Sequence, residues 1–485
     1  MSNSPNLGSL FDPKGVVVVG ASSHPGKFGF VALHNILDSG FEGPVYATNK
    51  EKISLLGITT VEGLHEIPNG EVDFAMICVP SHAVPQTLIE AEKIGVKAAF
   101  IVSGGYSEMG KDGEKAEIEL LKLSKELGIA ISGPNGQGFV STPSKLCSQI
   151  VAPFPPEGKI AIASQSGNLL SSFMNLSRHY GIGISRGVSI GNQSCLRAAD
   201  YVNYFSEDPE TKVIVLYLEG IPNGRNLFQA IKHATTTKPV VVIRGGSSPE
   251  GAKAAASHTG SLASDYRIFR GMLSQAGAFL ADDPQTAYEW AASFATQPKP
   301  AGKNTIILTT AGGWGVLTAD AVAQSSLELA DLEKDLTQQI DEILPPRWSR
   351  SNPIDIAGGE TRETIPRMID LILSHGSVDS LIFLGLGIQG NVARLYSESK
   401  YLDSGMERIM NFHNSQEEKY ATSLIDGSKE WGKPVLVASE LAVSDPNNAG
   451  IAALRDRHWF CHMSGSRAVA SLENLCAYAR HVETG

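Results

Sequence analysis

Short apolar runs recur along this chain, each separated from the next by a stretch long enough for one helix, and that alternation restricts the fold to parallel sheets joined by crossover helices. From Gly15 to about residue 140, residues 16–19, 45–47, 74–79, 98–102 and 129–131 read as strands. Pro153, Pro155 and Pro156 break the rhythm. A second series follows at residues 159–163, 184–188, 213–218 and 240–244, and a third at 305–309, 380–384 and 434–438. The segment Gln297-Pro298-Lys299-Pro300-Ala301-Gly302 lies between the last two; its prolines lack amide donors, so it reads as a linker. With 485 residues the chain is too long for one core. The expectation is three α/β units, residues 1–145, 157–296 and 303–485, the first Rossmann-like and the other two doubly wound, with a helix beginning after Ala311-Gly312-Gly313-Trp314 and a partly helical polar region at 396–432.

Composition narrows the function classes. The apolar runs fall far below the roughly 20 residues that a membrane span needs, and a net charge of −11 without a basic cluster argues against nucleic acid and anionic membrane surfaces. The polar start, Met1 to Asp12, has neither the cationic end nor the apolar run of a signal peptide, so a cytoplasmic location is expected. Cys78, Cys147, Cys195, Cys461 and Cys476 are scattered with no CxxC pair; they suggest neither a disulfide framework nor a zinc site, and no metal is expected on this chain.

Three turns carry candidate chemistry. Gly20-Ala21-Ser22-Ser23-His24-Pro25-Gly26-Lys27 follows the first strand and opens a helix, where backbone amides can bind phosphate. A nicotinamide cofactor would need an acid after the second strand to hold a ribose hydroxyl; that place reads Thr48-Asn49-Lys50, so NAD is disfavoured. Ser164-Gln165-Ser166-Gly167-Asn168 repeats the arrangement in the second series, suited either to a phosphate or simply to capping a helix. Glu219 ends the strand at 213–218, on the edge where ligands collect in open parallel sheets. The run Ala254-Ala255-Ala256-Ser257-His258-Thr259-Gly260-Ser261-Leu262-Ala263 sets one imidazole among residues too small to crowd it. His258 can therefore act as a nucleophile, and Glu219 can hold one ring nitrogen so that the other attacks; a surface histidine beside a helix is the alternative.

Taken together these segments resemble the NDP-forming acyl-CoA synthetases, a family related to succinyl-CoA synthetase and typified by ADP-forming acetate-CoA ligase. The resemblance covers nearly the whole chain. Its most specific element is 254–263, similar to the family's phosphohistidine segment; Gly20-Ala21-Ser22, Ser132-Gly133-Pro134-Asn135, Ser164 to Gly167, Gly191-Asn192, Ala311-Gly312-Gly313 and Asn352-Pro353-Ile354-Asp355 resemble further landmarks in the same order. The resemblance implies an alpha subunit with an N-terminal Rossmann-like CoA-binding domain and two flavodoxin-like ligase domains. It implies His258 as phosphoryl carrier, Glu219 as its orienting group, Ser166, Gly167 and Gly260 around phosphate, and Gly20, Ala21, Ser22, Lys27, Asn49 and Pro80 near CoA. The implied reaction turns a small carboxylic acid, CoA and ATP reversibly into acyl-CoA, ADP and phosphate through an acyl phosphate.

No segment resembles the ATP-grasp domain that the family uses for nucleotide and Mg²⁺, so ATP, ADP and Mg²⁺ are expected on a separate beta subunit, giving a hetero-oligomer. The sequence also departs from the family. Gln193-Ser194-Cys195-Leu196-Arg197 stands where relatives often carry an acid, Asn135-Gly136 replaces a frequent Asn-Cys pair, and Trp314 replaces a frequent proline. The first two put acetate in doubt as the acid. A CoA-binding regulatory protein without turnover is the alternative from another class, and a protein acetyltransferase would need a further domain for which no length remains.

Overall fold

The computed structural model describes residues 7–150, 153–251, 253, 265–356, 358, 362–402 and 405–484. Two compact units divide the chain, one made of 1–178 and 183–291, the other of 179–182 and 292–485.

The first unit holds two sheets. In one, β1 (Val16–Val19), β2 (Val45–Thr48), β5 (Phe74–Ile77), β6 (Ala98–Ile101) and β7 (Ala130–Ser132) run parallel in the order β2-β1-β5-β6-β7; the small hairpin β3 (Ser54–Leu55) and β4 (Ile58–Thr59) stands apart from it. Both faces are covered, as uninterrupted apolar strands require. Val16, Val18, Phe74, Met76 and Phe100 belong to one buried cluster together with Leu33 and Ile36 of the helix Phe28–Asp38. Their neighbours Val17, Val19, Ala75, Ile77 and Ile101 belong to another, with Leu88 and Ala91 of Val84–Lys93 and Leu120 of Lys111–Leu127.

The other sheet was only partly legible. Its parallel strands β10 (Glu157–Ser164), β11 (Ile184–Ser189), β12 (Val213–Leu218), β13 (Val240–Arg244) and β14 (Phe279–Ala281) are extended by an antiparallel hairpin, β8 (Gly138–Ser141) and β9 (Leu146–Gln149), which pairs with β11. Sequence rhythm alone puts residues 138–145 with the first series. In the structure β8 pairs with β11 of the second sheet, while its Phe139 sits edge-on to Phe11 and to Phe74 of the first sheet at 5.7 and 5.1 Å between ring centres. That aromatic knot makes one continuous core of the two sheets.

A buried charge cluster fixes the same junction. Arg186, 3% exposed on β11, donates to Asp12 Oδ1 at 2.6 Å and Asp208 Oδ2 at 3.2 Å and bonds Ser141 on β8. Burial works to raise the Asp208 pKa, but the Arg186 guanidinium and the Thr211 hydroxyl hold it below its ordinary value.

In the second unit the order is β16 (Glu328–Leu329), β15 (Asn304–Thr309), β18 (Ser380–Leu384), β19 (Val435–Ala438), β20 (Cys461–His462), with β17 (Ile354–Asp355) also on β15. The helix after β15 starts at Gly312, within the small-residue turn rather than after it. The polar region near 396–432 is largely helical, through Met406–Trp431. Its buried Glu417 accepts the amides of Gly387, Gln389 and Gly390 at 2.8, 2.7 and 3.3 Å, capping Ile388–Ser397; burial pushes its carboxyl up to about 7 against those three bonds.

Counted along the chain, with β17 set aside, the parallel strands of all three sheets follow the order 2-1-3-4-5, one of the two common doubly wound arrangements. Each order reverses beside its first strand, at the carboxyl edge where ligands bind. Among the described residues no helix is long and apolar enough to cross a membrane.

Candidate acyl-CoA site

At the carboxyl end of β1 the chain turns through Gly20 with φ +85, a conformation that side chains with a β-carbon resist. Thr48 at the end of β2 holds this turn from one side: its hydroxyl accepts the Gly20 amide at 3.1 Å and its carbonyl accepts the Ala21 amide at 3.0 Å. Asn49 holds it from the other, donating from Nδ2 to the Ala21 carbonyl at 2.8 Å. Helix Phe28–Asp38 then packs onto the turn so closely that a β-carbon on Gly29 would lie 2.1 Å from the Gly20 carbonyl oxygen. Its first turn has no side-chain cap, which leaves helix-start amides for an anion.

Gly20, Ala21 and Asn49 are thus one hydrogen-bonded group, with Ser22 half-buried in the same turn, and Lys27 and Pro80 exposed at the helix start and after β5. Substituting alanine for Gly29 is expected to cost about 1–3 kcal/mol through overpacking and to weaken CoA binding. Denaturant unfolding and a CoA titration of the variant check both; undisturbed values would show that the close approach is not needed.

At the carboxyl end of β10, Ser164 Oγ donates to the Ser166 carbonyl at 2.6 Å and accepts the Ser166 amide at 3.2 Å, and helix Gly167–Tyr180 begins at once. Ser166 Oγ faces the Leu169 amide at 3.4 Å, so the capping alternative describes its present contact. Gln165 ties this turn to β12, its Oε1 accepting the amides of Glu219 and Gly220. Glu219 is 8% exposed, and its Oε1 accepts the Tyr217 hydroxyl at 3.0 Å. Burial, then the Glu219 charge, raises the Tyr217 pKa; burial lowers that of Arg244, with Glu219 acting in the opposite direction. His258 and Gly260 lie outside the described residues.

The edges of the two sheets share a cavity of about 380 Å³. Ser166 and Gly167 line it, beside Phe28 from the helix Phe28–Asp38, Ile150 after β9 and Pro222 after β12. Six carboxamides face it, Asn135, Gln137, Gln165, Asn168, Asn192 and Gln193, and none of its described lining residues carries a charge. Sequence reasoning named Asn135 and Asn192 only as landmarks and missed Gln137 and Ile150. Both flank the β8–β9 hairpin, and with that hairpin unrecognised no local signal could place them here. Such a wall can hydrogen-bond a polar, elongated ligand and leave an anionic end to backbone amides. Among the described residues it supplies no cation to pair with a second carboxylate.

Comparison with known proteins agrees. A CoA-binding domain model matches residues 14–141, a succinyl-CoA ligase-like flavodoxin domain model 157–294, and a ligase-CoA domain model 305–388. The alpha subunit of acetate–CoA ligase [ADP-forming] I from Pyrococcus furiosus is 37% identical over 383 residues, covering 78% of this chain and 82% of that one. The 4-hydroxybutyrate–CoA ligase [ADP-forming] of Nitrosopumilus maritimus is 32% identical over 386 residues, covering 79% of this chain but 54% of the relative. Among solved structures, acetyl-coenzyme A synthetase 1 of Candidatus Korarchaeum cryptofilum, in complex with phosphate and ADP, superposes with a TM-score of 0.85 at 32% identity over 99% of this chain and 98% of that one. With identity at this level across most of its length, the chain belongs to the ADP-forming acyl-CoA synthetases, relatives of succinyl-CoA ligase.

Proposed function

We propose that this chain is the alpha subunit of an ADP-forming acid–CoA ligase, organised as a CoA-binding domain at 1–145 and ligase domains at 157–296 and 303–485, and working with a separate ATP-grasp beta subunit that holds ATP or ADP and Mg²⁺. The observation that carries this is the amide-rich cavity between the helix start at Phe28 and the β10 helix start, whose described lining residues carry no charge, set in a chain of this family. In the forward direction the beta subunit's ATP phosphorylates His258, giving ADP. The carboxylate of the acid takes that phosphoryl group to form an acyl phosphate and free the imidazole; the CoA thiolate then displaces phosphate to give acyl-CoA.

The residues divide the work. Gly20, Ala21, Ser22, Lys27, Asn49 and Pro80 hold CoA; Ser166, Gly167 and Gly260 hold the phosphoryl group with helix-start amides, which stabilise charge without reorganising; Glu219 orients His258. Support for the separate partner comes from relatives named as alpha subunits. The five free cysteines suit a cytoplasmic location.

The test is product analysis with both subunits across a panel of carboxylic acids. Equal amounts of acyl-CoA, ADP and phosphate are expected; AMP with pyrophosphate, or CoA binding without turnover of any acid, would contradict the proposal. Glu219→Gln is expected to slow phosphorylation of the chain by about 10²-fold without altering its melting temperature. Unchanged single-turnover kinetics would remove Glu219 from that role.

A further inference from the structure

Asn192, on the loop after β11, makes contacts that a cavity wall does not require. Its Nδ2 lies 2.7 Å from Glu108 Oε2, 2.7 Å from Glu117 Oε1 and 3.3 Å from Ser107 Oγ. A carboxylate only accepts, so the atom facing both acids is the amide nitrogen, and turning the side chain over would set Oδ1 against two carboxylates. The acids are themselves fixed. Glu108 Oε1 accepts the Gly105 and Tyr106 amides, and Glu117 Oε1 accepts the Ser107 amide at 3.1 Å. Burial works to raise the Glu108 pKa, but the bonds from Asn192 and those two amides hold the carboxyl below its ordinary value.

With its protons committed to the acids, Asn192 is left with Oδ1, 3.3 Å from Asn135 Nδ2, and both asparagines line the cavity. We infer that Glu108 and Glu117 lock Asn192 as a fixed hydrogen-bond acceptor on the cavity wall, selecting a ligand that brings an N–H or O–H donor to that point. Resting on the acyl-CoA reading of the cavity, this leaves two sources for the donor: an amide of the CoA arm, or a hydroxyl on the acid. Asn192 is then a specificity residue, and Glu108 and Glu117 are positioning residues.

The experiment uses the chain with its beta subunit, comparing acids that differ by one hydroxyl (butyrate and 4-hydroxybutyrate), and calorimetric titration of the chain with CoA. Asn192→Leu keeps the size and removes the acceptor. It is expected to raise one Michaelis constant about ten-fold, the loss of one hydrogen bond, with kcat within about two-fold. If the constant for CoA and its calorimetric affinity change together, the donor is a CoA amide; if the preference for the hydroxy acid collapses while CoA binding holds, it is the acid's hydroxyl. Asn192→Asp, which sets a third carboxylate against two, is expected to share the defect, and Glu108→Gln with Glu117→Gln added to it is expected to restore binding because both new amides donate to the aspartate.

Unchanged CoA binding together with unchanged acid preference in Asn192→Leu would overturn the inference, as would absence of rescue in the triple variant. Wild-type subunits that turn over none of the acids would instead contradict the proposed function. In that case unchanged CoA affinity in Asn192→Leu overturns the lock on its own.

Discussion

His258→Ala is expected to abolish turnover, with a loss of at least about 10³-fold in kcat, while CoA binding persists. Removing a nucleophile costs more than removing any group that only steadies it, since no neighbour can form the covalent intermediate. The two defects should therefore separate. Label from γ-labelled ATP, supplied with the beta subunit, should appear on the wild-type chain in acid-labile, base-stable form and be missing from the variant. Calorimetry with CoA should give the same affinity for both, because the group around Gly20, Ala21 and Asn49 is built from β1, β2 and the helix at Phe28–Asp38 without residue 258. Label that survives the substitution would remove His258 from the reaction.

Arg186→Ala is expected to destabilise the first unit by about 3–5 kcal/mol, the usual cost of breaking a buried ion pair from one side. Arg186 is 3% exposed and its guanidinium bonds Asp12, Asp208 and Ser141, so its loss leaves Asp208, 6% exposed, without its guanidinium partner. The sign with pH follows from Asp208. Its folded pKa is depressed, so the stabilisation is present above the unfolded value of roughly 3.9 and is lost as pH falls through the folded value. Denaturant unfolding should therefore show the gap between wild type and variant shrinking as pH is lowered below about 4. Arg186→Met, which fills the space without the charge, leaves the same carboxylate stranded and should be nearly as damaging. A difference below about 1 kcal/mol at neutral pH would show that water replaces the guanidinium without cost.

What the sequence disclosed about the fold was its parallel strands. Valine-rich runs such as 16–19 and 240–244 are buried on both faces, and that demand is written in consecutive residues. The hairpin at Gly138–Ser141 and Leu146–Gln149 was not visible, because its strands are fully buried yet half of their residues are glycine, serine or glutamine, which do not read as an apolar run. Phe139 joins the two sheets through contacts with Phe11 and Phe74, and distance along the chain hides such pairings.

The same holds for the site. Glycine-rich turns mark helix starts locally, so Gly20 and Ser166 could be named in advance. Gln165 reaching from β10 to the Glu219 amide, Tyr217 donating to Glu219, and Asn192 held by Glu108 and Glu117 are side-chain contacts between distant segments. No spacing rule encodes them. The position most central to the proposed chemistry, His258, was marked by its small neighbours and by the resemblance of 254–263 to the family's phosphohistidine segment.

Phosphoryl transfer through the chain itself is tested most directly by discharge of the labelled protein. The wild-type chain, labelled with the beta subunit and freed of nucleotide, is mixed with a carboxylic acid and CoA. The account predicts that label leaves as inorganic phosphate in step with acyl-CoA, one for one, and that CoA without the acid releases none. Acyl-CoA appearing while the label stays on the protein would contradict it.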